Sequence, residues 1–508
     1  MGSSKAIAKN TVFLYVSMII TMVITLYMSR VILEKLGIDD YGIYQAVGGI
    51  VGFLSFLNGA LSTGTSRFLT FELGTGTFER LKKTFSTLMS AHLLLGFFVL
   101  ILAETLGLWF VNNKMIIAPE RMDAGIFTYH ISILTAMVTL SLVPFSAAII
   151  AHEKMGVYSI LNIIDALLKL GICYLIGIGG FDKLQLYAFL LFIEQLLMLF
   201  FYAIYSSKNF PETKYKPCLD WVILKPILSF SGWSLFAQGA TAFSNQGILV
   251  LLNMFFAPAV VSARAISLQV NSAANHFVNN FRTAVNPQIV KLYAIKDYEG
   301  SRRLLLQSTK ISFYLMLMIS LPVFFLADPL LHFWLGRNVP DYTVVFLQIV
   351  IIQSLFQVFD TSFYSALYAK GRLKENALIS PLILFIAFPI IYILFRLGCS
   401  PVALSWAYLV CFALIGMIVK PILIVKIVNY KWKDIFSVFG RCALVSIVSI
   451  FPSYFIDKAI DSSIILGFFI ETVLIVLAVC ITSFVFGVDK SMRKAIGNVI
   501  KSKINNSI

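Results

Sequence analysis

Apolar runs long enough to cross a bilayer recur along this chain. A helix rising about 1.5 Å per residue needs about 20 apolar residues to cross a hydrocarbon core of roughly 30 Å. The sequence predicts fourteen such spans, numbered here in chain order, with ends placed to within about four residues. They lie near 12–33, 41–66, 86–111, 124–150, 157–178, 184–205, 228–256, 259–290, 306–334, 342–368, 377–396, 402–428, 440–456 and 463–487. With 59% hydrophobic and 13% charged residues, the chain is expected to be an all-α polytopic membrane protein.

The positive charges are unevenly distributed over the loops. Most of the 40 Lys and Arg fall in segments that are cytoplasmic if the N-terminus is cytoplasmic, and only seven lie in the opposite loops. This bias follows the positive-inside rule, so the net charge of +15 does not indicate a nucleic-acid partner. Both termini are expected to be cytoplasmic. Lys5 and Lys9 precede an apolar run too long for a signal peptide, so span 1 is expected to remain in the protein.

One span carries a polar stripe. Its members recur every three or four residues, which places them on one face of a helix: Arg264, Ser267, Asn271, Asn275, Asn279, Arg282 and Asn286. From first to last the stripe covers roughly 33 Å at about 1.5 Å per residue. Arginine and asparagine are unfavourable against lipid, so the stripe predicts a helix that faces water or a polar cargo. This pattern is typical of a transport protein.

The long cytoplasmic loop near 206–225 divides the predicted spans. We expect an N-terminal lobe of six helices (1–207), a linker (208–227), a second pseudo-symmetric six-helix lobe (228–430), and two further helices with a basic tail (431–508). Polar residues on spans 1, 2 and 7, among them Gln45, Gln238 and Asn245, predict a central cavity between the lobes that serves alternating access. The alternative for the Gly- and Ser-rich faces of spans 1 and 2 is close helix packing.

The sequence offers little for catalysis. It has no Walker A, GxSxG or HExxH motif, and no loop exceeds roughly twenty residues. Six scattered cysteines and five scattered histidines predict neither a disulfide framework nor a metal site. We therefore expect a transporter rather than an enzyme, with no cofactor.

Several stretches resemble a known family: Asn10-Thr11, RVILEKLGIDDYGIYQAV (Arg30–Val47), SRFLTFELG (Ser66–Gly74), AHEKMGVYSILNIIDALLKL (Ala151–Leu170) and NPQIVKLYA (Asn286–Ala294). They are similar to the polysaccharide-transporter branch of the multidrug/oligosaccharidyl-lipid/polysaccharide exporter superfamily. The resemblance implies a flippase in the bacterial inner membrane. Its substrate would be an undecaprenyl-pyrophosphate-linked oligosaccharide, moved from the cytoplasmic to the periplasmic leaflet for O-antigen, capsule or exopolysaccharide assembly. A polysaccharide polymerase and chain-length proteins are the expected partner proteins.

A diphosphate-linked sugar needs cations and hydrogen-bonding groups to cross hydrocarbon. The candidate cations are Arg30, Arg67, Lys169, Arg264 and Arg282, with Asn271, Asn275 and Asn279 beside them. Arg264 and Arg282 are expected to act as successive pyrophosphate stations. The alternatives are that Arg30 and Arg67 extend to lipid head groups, and that Lys169 pairs with Asp165 four residues earlier.

Acidic residues within spans suggest coupling to an H+ or Na+ gradient. Asp165 and Asp360 lie on polar faces and are the candidates, whereas Glu104, Glu194 and Glu471 have mostly apolar neighbours and are expected to be protonated or paired. Other functions stay open at this point. They are a different branch of the superfamily, such as a peptidoglycan-precursor flippase or a drug/cation antiporter, or a membrane-embedded polymerase.

Overall fold

The computed structural model describes residues 2–53, 65–66, 68–73, 77–152, 154–177, 180–226, 239, 246–372 and 374–488. This part of the chain is helical and contains no β-strand. Its α-helices are α1 Gly2–Leu36, α2 Ile38–Phe53, α3 Phe78–Leu102, α4 Leu108–Lys114, α5 Met122–Ala151, α6 Met155–Leu175, α7 Lys183–Asn209, α8 Ile248–Asn253, α9 Pro258–Ala294, α10 Tyr298–Phe325, α11 Ala327–Leu335, α12 Thr343–Lys370, α13 Lys374–Arg396, α14 Ala403–Leu414, α15 Lys420–Val428, α16 Trp432–Ala459 and α17 Ile465–Thr482. The predicted all-α membrane fold is confirmed.

Eleven helical stretches in the described residues are long and apolar enough to cross a membrane. They coincide with predicted spans 1, 3–6 and 9–14. Span 2 is described only at 41–53 and 65–66, and most of span 7 lies outside the described residues. The helix α9 is not among the eleven. The polar stripe of α9 lowers its apolar content. The count of fourteen spans therefore stays a prediction.

The helix ends follow from local sequence. Asp182 caps the N-terminus of α7, where its carboxylate accepts hydrogen bonds from the backbone N–H groups of Leu184 and Gln185 at 3.0 and 3.1 Å. Gly371 ends α12 in the left-handed region, with φ of +74°. Three helices continue through short π-helical segments, Ala103–Gly107, Ile415–Val419 and Ser483–Gly487. Such segments shift the face that a helix presents to its neighbours.

The chain packs as two compact units. One unit comprises Met1–Ile266, Arg337–Asp341 and Leu384–Pro401, and the other comprises Ser267–Gly336, Tyr342–Ile383 and Val402–Ile508. In the first, α3, α5, α6 and α7 enclose a core that includes Phe85 and Met198. In the second, α10, α12 and α16 contribute Phe313, Phe359 and Phe439 to an aromatic core, in which Phe313 stacks on Phe359 and Phe439 meets Phe359 edge to face. The lobe boundaries expected from the sequence stay a prediction.

Candidate functional site

The predicted polar stripe lies on one uninterrupted helix, α9. Pro258 opens this helix, where a missing backbone N–H costs nothing. In the first unit, the hydroxyl of Ser262 donates to the carbonyl of Ile38 at 2.7 Å. A Cβ added to Gly42 of α2 would lie only 2.1 Å from the carbonyl oxygen of Pro258, so only glycine fits this crossing. The sequence thus fixes the N-terminal end of α9 against α2.

The stripe differs in exposure along its length. Arg264, Ser267 and Asn271 are buried, and Arg264 is only 2% exposed. Asn275, Arg282 and Asn286 are partly buried, and Asn279 is exposed. The second half of the stripe is therefore the part that solvent or a cargo reaches in this structure. The role of Arg264 as a pyrophosphate station stays a prediction.

Within the second unit, the stripe of α9 is paired with a second polar stripe on α12. We call these residues the polar seam. On α9 they are Asn271, Asn275, Arg282 and Asn286. On α12 they are Ser354, Gln357, Ser365 and, through its backbone carbonyl, Thr361. Ser354 donates to Asn271 Oδ1 at 3.2 Å, and Ser365 donates to Asn286 Oδ1 at 2.9 Å. The seam shows that the asparagines hold two helices together through hydrogen bonds as well as presenting polar groups.

Arg282 is the cation of the seam. One guanidinium nitrogen donates to the backbone carbonyl of Thr361 on α12, and another donates to Asn279 Oδ1 at 3.1 Å. Both acceptors are neutral oxygens, and Asn279 is itself exposed. Because a guanidinium has five N–H donors in a planar fork, Arg282 keeps further donors for an anion.

An ion pair between a buried lysine and a partly buried aspartate lies on the same turn of α12. Lys420, the first residue of α15, places its ammonium 2.7 Å from the carboxylate of Asp360, and it also donates to Asn376 Oδ1 on α13. The Lys420 side chain is 3% exposed and lies over the ring of Tyr364, 5.5 Å from its centroid. Arg282 contacts the residue that follows Asp360. Asp360 is therefore paired with Lys420, while Arg282 bonds to the backbone one residue further along α12.

Helix crossing explains why Lys420 points inward. The π-helical segment Ile415–Val419 comes directly before it and rotates the face of the chain. In that segment, a Cβ on Gly416 would lie 2.5 Å from the carbonyl oxygen of Phe356, so α12 approaches there at backbone distance. Lys420 is not among the residues predicted from the sequence. A lysine one residue after a π-segment gives no periodic signal that could have found it.

In the first unit, the predicted pair between Lys169 and Asp165 forms. The ammonium of Lys169 lies 2.7 and 2.8 Å from the two carboxylate oxygens of Asp165 on α6. Glu194 on α7 is 3% exposed, and its carboxylate lies 3.9 Å from Lys169. One cation thus serves two carboxylates. The role of Lys169 in substrate binding and that of Asp165 in ion coupling stay predictions.

The remaining candidates are separate from these clusters. Arg30 is exposed on α1, and Gln45 is partly buried on α2. Arg67, Gln238 and Asn245 lie outside the described residues. Of the other acidic candidates, Glu104 contacts His130 at 2.9 Å, and Glu471 is fully buried on α17.

Charged residues outside the spans form one further cluster. The guanidinium of Arg121 bridges the carboxylates of Asp40 and Asp182, with 2.8 Å from its Nε to Asp40. Burial alone would raise the pKa of Asp182, but hydrogen bonds from Arg121 and from backbone N–H groups outweigh it and lower that pKa. For Asp40, burial dominates and its pKa is raised. Arg121 therefore ties α2 and α5 to the start of α7 within the first unit. Among the described residues, no group of three or more His, Cys, Asp or Glu is arranged to hold a metal ion.

The fold is similar to those of known membrane transporters. It matches the inward closed conformation of the lipid II flippase MurJ with a TM-score of 0.72, at 15% identity over 94% of this chain and 98% of that chain. It matches an inward-facing multidrug resistance MATE family transporter of the MOP superfamily with a TM-score of 0.68, at 14% identity over 83% of this chain and 99% of that chain. The MATE multidrug transporter DinF-BH gives a TM-score of 0.61, at 16% identity over 84% of this chain and 96% of that chain.

The protein is therefore a multi-pass membrane protein with a MATE/MurJ-like transporter fold. Residues 234–395 match the MatE family model, and this stretch contains both helices of the polar seam. A sequence search of curated proteins finds no significant match. The MatE match and the shared fold agree with the predicted superfamily, and membership of it and of its polysaccharide branch both stay predictions.

Proposed function

We propose that this protein is a flippase for undecaprenyl-pyrophosphate-linked oligosaccharide repeat units. It translocates them from the cytoplasmic to the periplasmic leaflet of the bacterial inner membrane by alternating access. The observation that carries the proposal is Arg282: a partly exposed guanidinium within a helix of a transporter fold, bonded to neutral oxygens and flanked by amides.

The chemistry of the seam suits this cargo. A guanidinium binds phosphate oxygens in a bidentate manner, and this geometry favours a diphosphate over a single negative charge. The amides of Asn275 and Asn279 offer both donors and acceptors, which sugar hydroxyls require when they leave water. The polyprenyl tail needs no polar group and stays in lipid. Arg264, Arg30, Arg67 and Lys169 complete the proposed cationic path.

The charges also favour this proposal over the alternatives. A drug/cation antiporter needs acidic groups that attract a cationic substrate. Here both carboxylates nearest to candidate cations, Asp165 and Asp360, are already paired with lysines. A peptidoglycan-precursor flippase would also bind a diphosphate. It differs from an oligosaccharide flippase in the sugar and peptide that its substrate carries. A polymerase is disfavoured because the chain has no long extramembrane segment among its predicted loops.

The same pairing indicates how an ion gradient would act. Protonation of Asp165 or Asp360, or Na+ bound to one of them, would release Lys169 or Lys420 from its ion pair. The freed lysine would then be available to the substrate. A polysaccharide polymerase and chain-length proteins would use the translocated repeat unit on the periplasmic side.

The test is translocation in proteoliposomes. The purified protein is reconstituted with a radiolabelled undecaprenyl-pyrophosphate-linked oligosaccharide, and a membrane-impermeant glycosidase measures how much sugar reaches the outer leaflet. Replacing Arg282 with Ala should slow translocation about 10- to 150-fold, because a hydrogen bond to a charged group contributes about 1.5–3 kcal/mol. The matched control is Arg303→Ala, since Arg303 is exposed on α10. Equal rates for Arg282→Ala and the unmodified protein would contradict the proposal.

A second arm addresses the substrate class. Lipid II and a cationic dye are offered in place of the oligosaccharide. Faster translocation of lipid II would favour the peptidoglycan-precursor alternative, and efflux of the dye would favour the antiporter.

A further inference from the structure

A cavity lies within the first unit. Its volume is about 620 Å³. One wall is the first three turns of α3. The other is segment 216–223 after α7, a loop as far as Asp220 and helical from Trp221. The charged side chains that line it are Glu79, Arg80, Lys82, Lys83, Lys216 and Asp220.

The loop wall is fixed to α3 by regular hydrogen bonds. Alternate backbone N–H groups of the loop donate to hydroxyl groups of the helix at 3.3–3.4 Å: Lys216 to Ser86, Cys218 to Ser90, and Asp220 to Thr87. The hydroxyl of Tyr215 also bonds to that of Ser90 at 3.1 Å. Because every second residue from 216 to 220 is hydrogen-bonded to α3, the backbone of this segment is held in place against the helix. The cavity is therefore built between two fixed surfaces.

The cavity is positively charged. Four cations and two carboxylates line it, so its formal charge is +2. The carboxylate of Asp220 is held by Lys83 at 2.5 Å, and Arg80 pairs with Glu72 at 3.0 Å. This leaves the ammonium groups of Lys82 and Lys216, one on each wall, and the carboxylate of Glu79, none of which forms an ion pair among the described residues. Two cations facing one space suit a phosphate group.

Exposed apolar side chains lie beside the cavity on the same two segments. Trp221 is 61% exposed, and Val222, which lines the cavity, is 81% exposed. Phe78 and Leu219 are also exposed. Tryptophan beside lysine and arginine at the start of a spanning helix is typical of the membrane–water interface. The cavity thus combines a cationic interior with an apolar border.

We propose that this cavity binds the phosphate head group of an anionic phospholipid at the membrane surface. A soluble phosphate compound would satisfy the lysines but would gain nothing from the exposed Trp221 and Val222. Phospholipid satisfies both. The site is separate from the residues assigned to translocation and does not depend on the proposed function.

The test uses the full-length protein in nanodiscs of phosphatidylcholine with increasing phosphatidylglycerol. Native mass spectrometry measures the phosphatidylglycerol that stays bound to the protein after the protein is released from the nanodisc. The double variant Lys82→Gln/Lys216→Gln should bind it about 30-fold more weakly, since each lysine near an anionic surface contributes about 1 kcal/mol. Lys82→Arg/Lys216→Arg keeps the charge and should bind as the unmodified protein does. The matched control is Lys431→Gln/Lys433→Gln, because both residues are exposed at the start of another helix, α16.

Cys218 gives a second readout because it lines the cavity. Bound phosphatidylglycerol should slow its alkylation by a maleimide, whereas Cys399 should react at an unchanged rate. Equal binding by the Gln and unmodified proteins would overturn the proposal. So would equal protection by inorganic phosphate, which would indicate a soluble ligand, or preferred binding of undecaprenyl pyrophosphate, which would indicate the transported lipid. Arg282→Ala should leave all these results unchanged, so that failure of the flippase proposal and failure of this one are distinguishable.

Discussion

The ion pair between Lys420 and Asp360 makes a quantitative prediction about stability. Lys420 is 3% exposed, and Asp360 is 19% exposed. Asp360→Asn leaves an almost fully buried ammonium with only neutral partners, which should lower the free energy of unfolding by about 3–5 kcal/mol. Lys420→Met leaves a carboxylate that water reaches, so the loss should be smaller, about 1–3 kcal/mol.

The double variant Lys420→Met/Asp360→Asn isolates the interaction free energy between the two charges from the interactions of each charge with other groups. It removes both charges together and leaves neither one buried alone. Its loss should therefore be smaller than the sum of the single losses by about 2–3 kcal/mol, within the range of coupling between contacting residues. The assay is unfolding in mixed micelles of dodecyl maltoside and SDS, followed by tryptophan fluorescence. The control is Lys426→Met, since Lys426 lies on the same helix but is exposed.

Additive losses would refute the reasoning, because they would mean that the two charges do not stabilise one another. A larger loss for Lys420→Met than for Asp360→Asn would contradict the argument from burial. Either result would also remove the basis for coupling an ion gradient to the release of Lys420.

Two further predictions concern helix contacts. Gly416→Ala should destabilise the protein by more than about 2 kcal/mol, since the new Cβ would lie 2.5 Å from the Phe356 carbonyl oxygen. The control Gly440→Ala has open space around the new Cβ and should change stability little. Equal thermal midpoints for the two variants would contradict this prediction. Asp182→Asn keeps the helix cap but loses the charge that Arg121 holds, and should cost about 1–2 kcal/mol at pH 7. Because folding lowers the pKa of Asp182, its stabilisation is present above its unfolded pKa of about 3.9 and is lost as the pH falls through its folded pKa. The difference between Asp182→Asn and the unmodified protein should therefore shrink on acidification, and a difference that grew would count against the assignment.

Local sequence determined most of the secondary structure. Spans 3–6 and 9–14 appear as helices because their apolar runs leave the backbone no partner in lipid except itself. The contact between Lys169 and Asp165 was also predictable, because residues four apart on a helix are neighbours whatever the tertiary structure. The same holds for the stripe on α9, whose period of three to four residues is a property of the helix alone.

Tertiary structure decided which polar groups meet. The stripes of α9 and α12 are each visible in the sequence, but nothing in either one indicates that Asn271 bonds to Ser354 or that Arg282 reaches the carbonyl of Thr361. Likewise, Lys420 became the partner of Asp360 through a π-helical segment and a backbone crossing at Gly416. The physical reason is the separation along the chain of the residues that interact. Hydrophobic periodicity specifies the buried face of each helix, whereas rotation and crossing of helices depend on side chains far apart in the chain, and these alone place a charge beside its counter-charge.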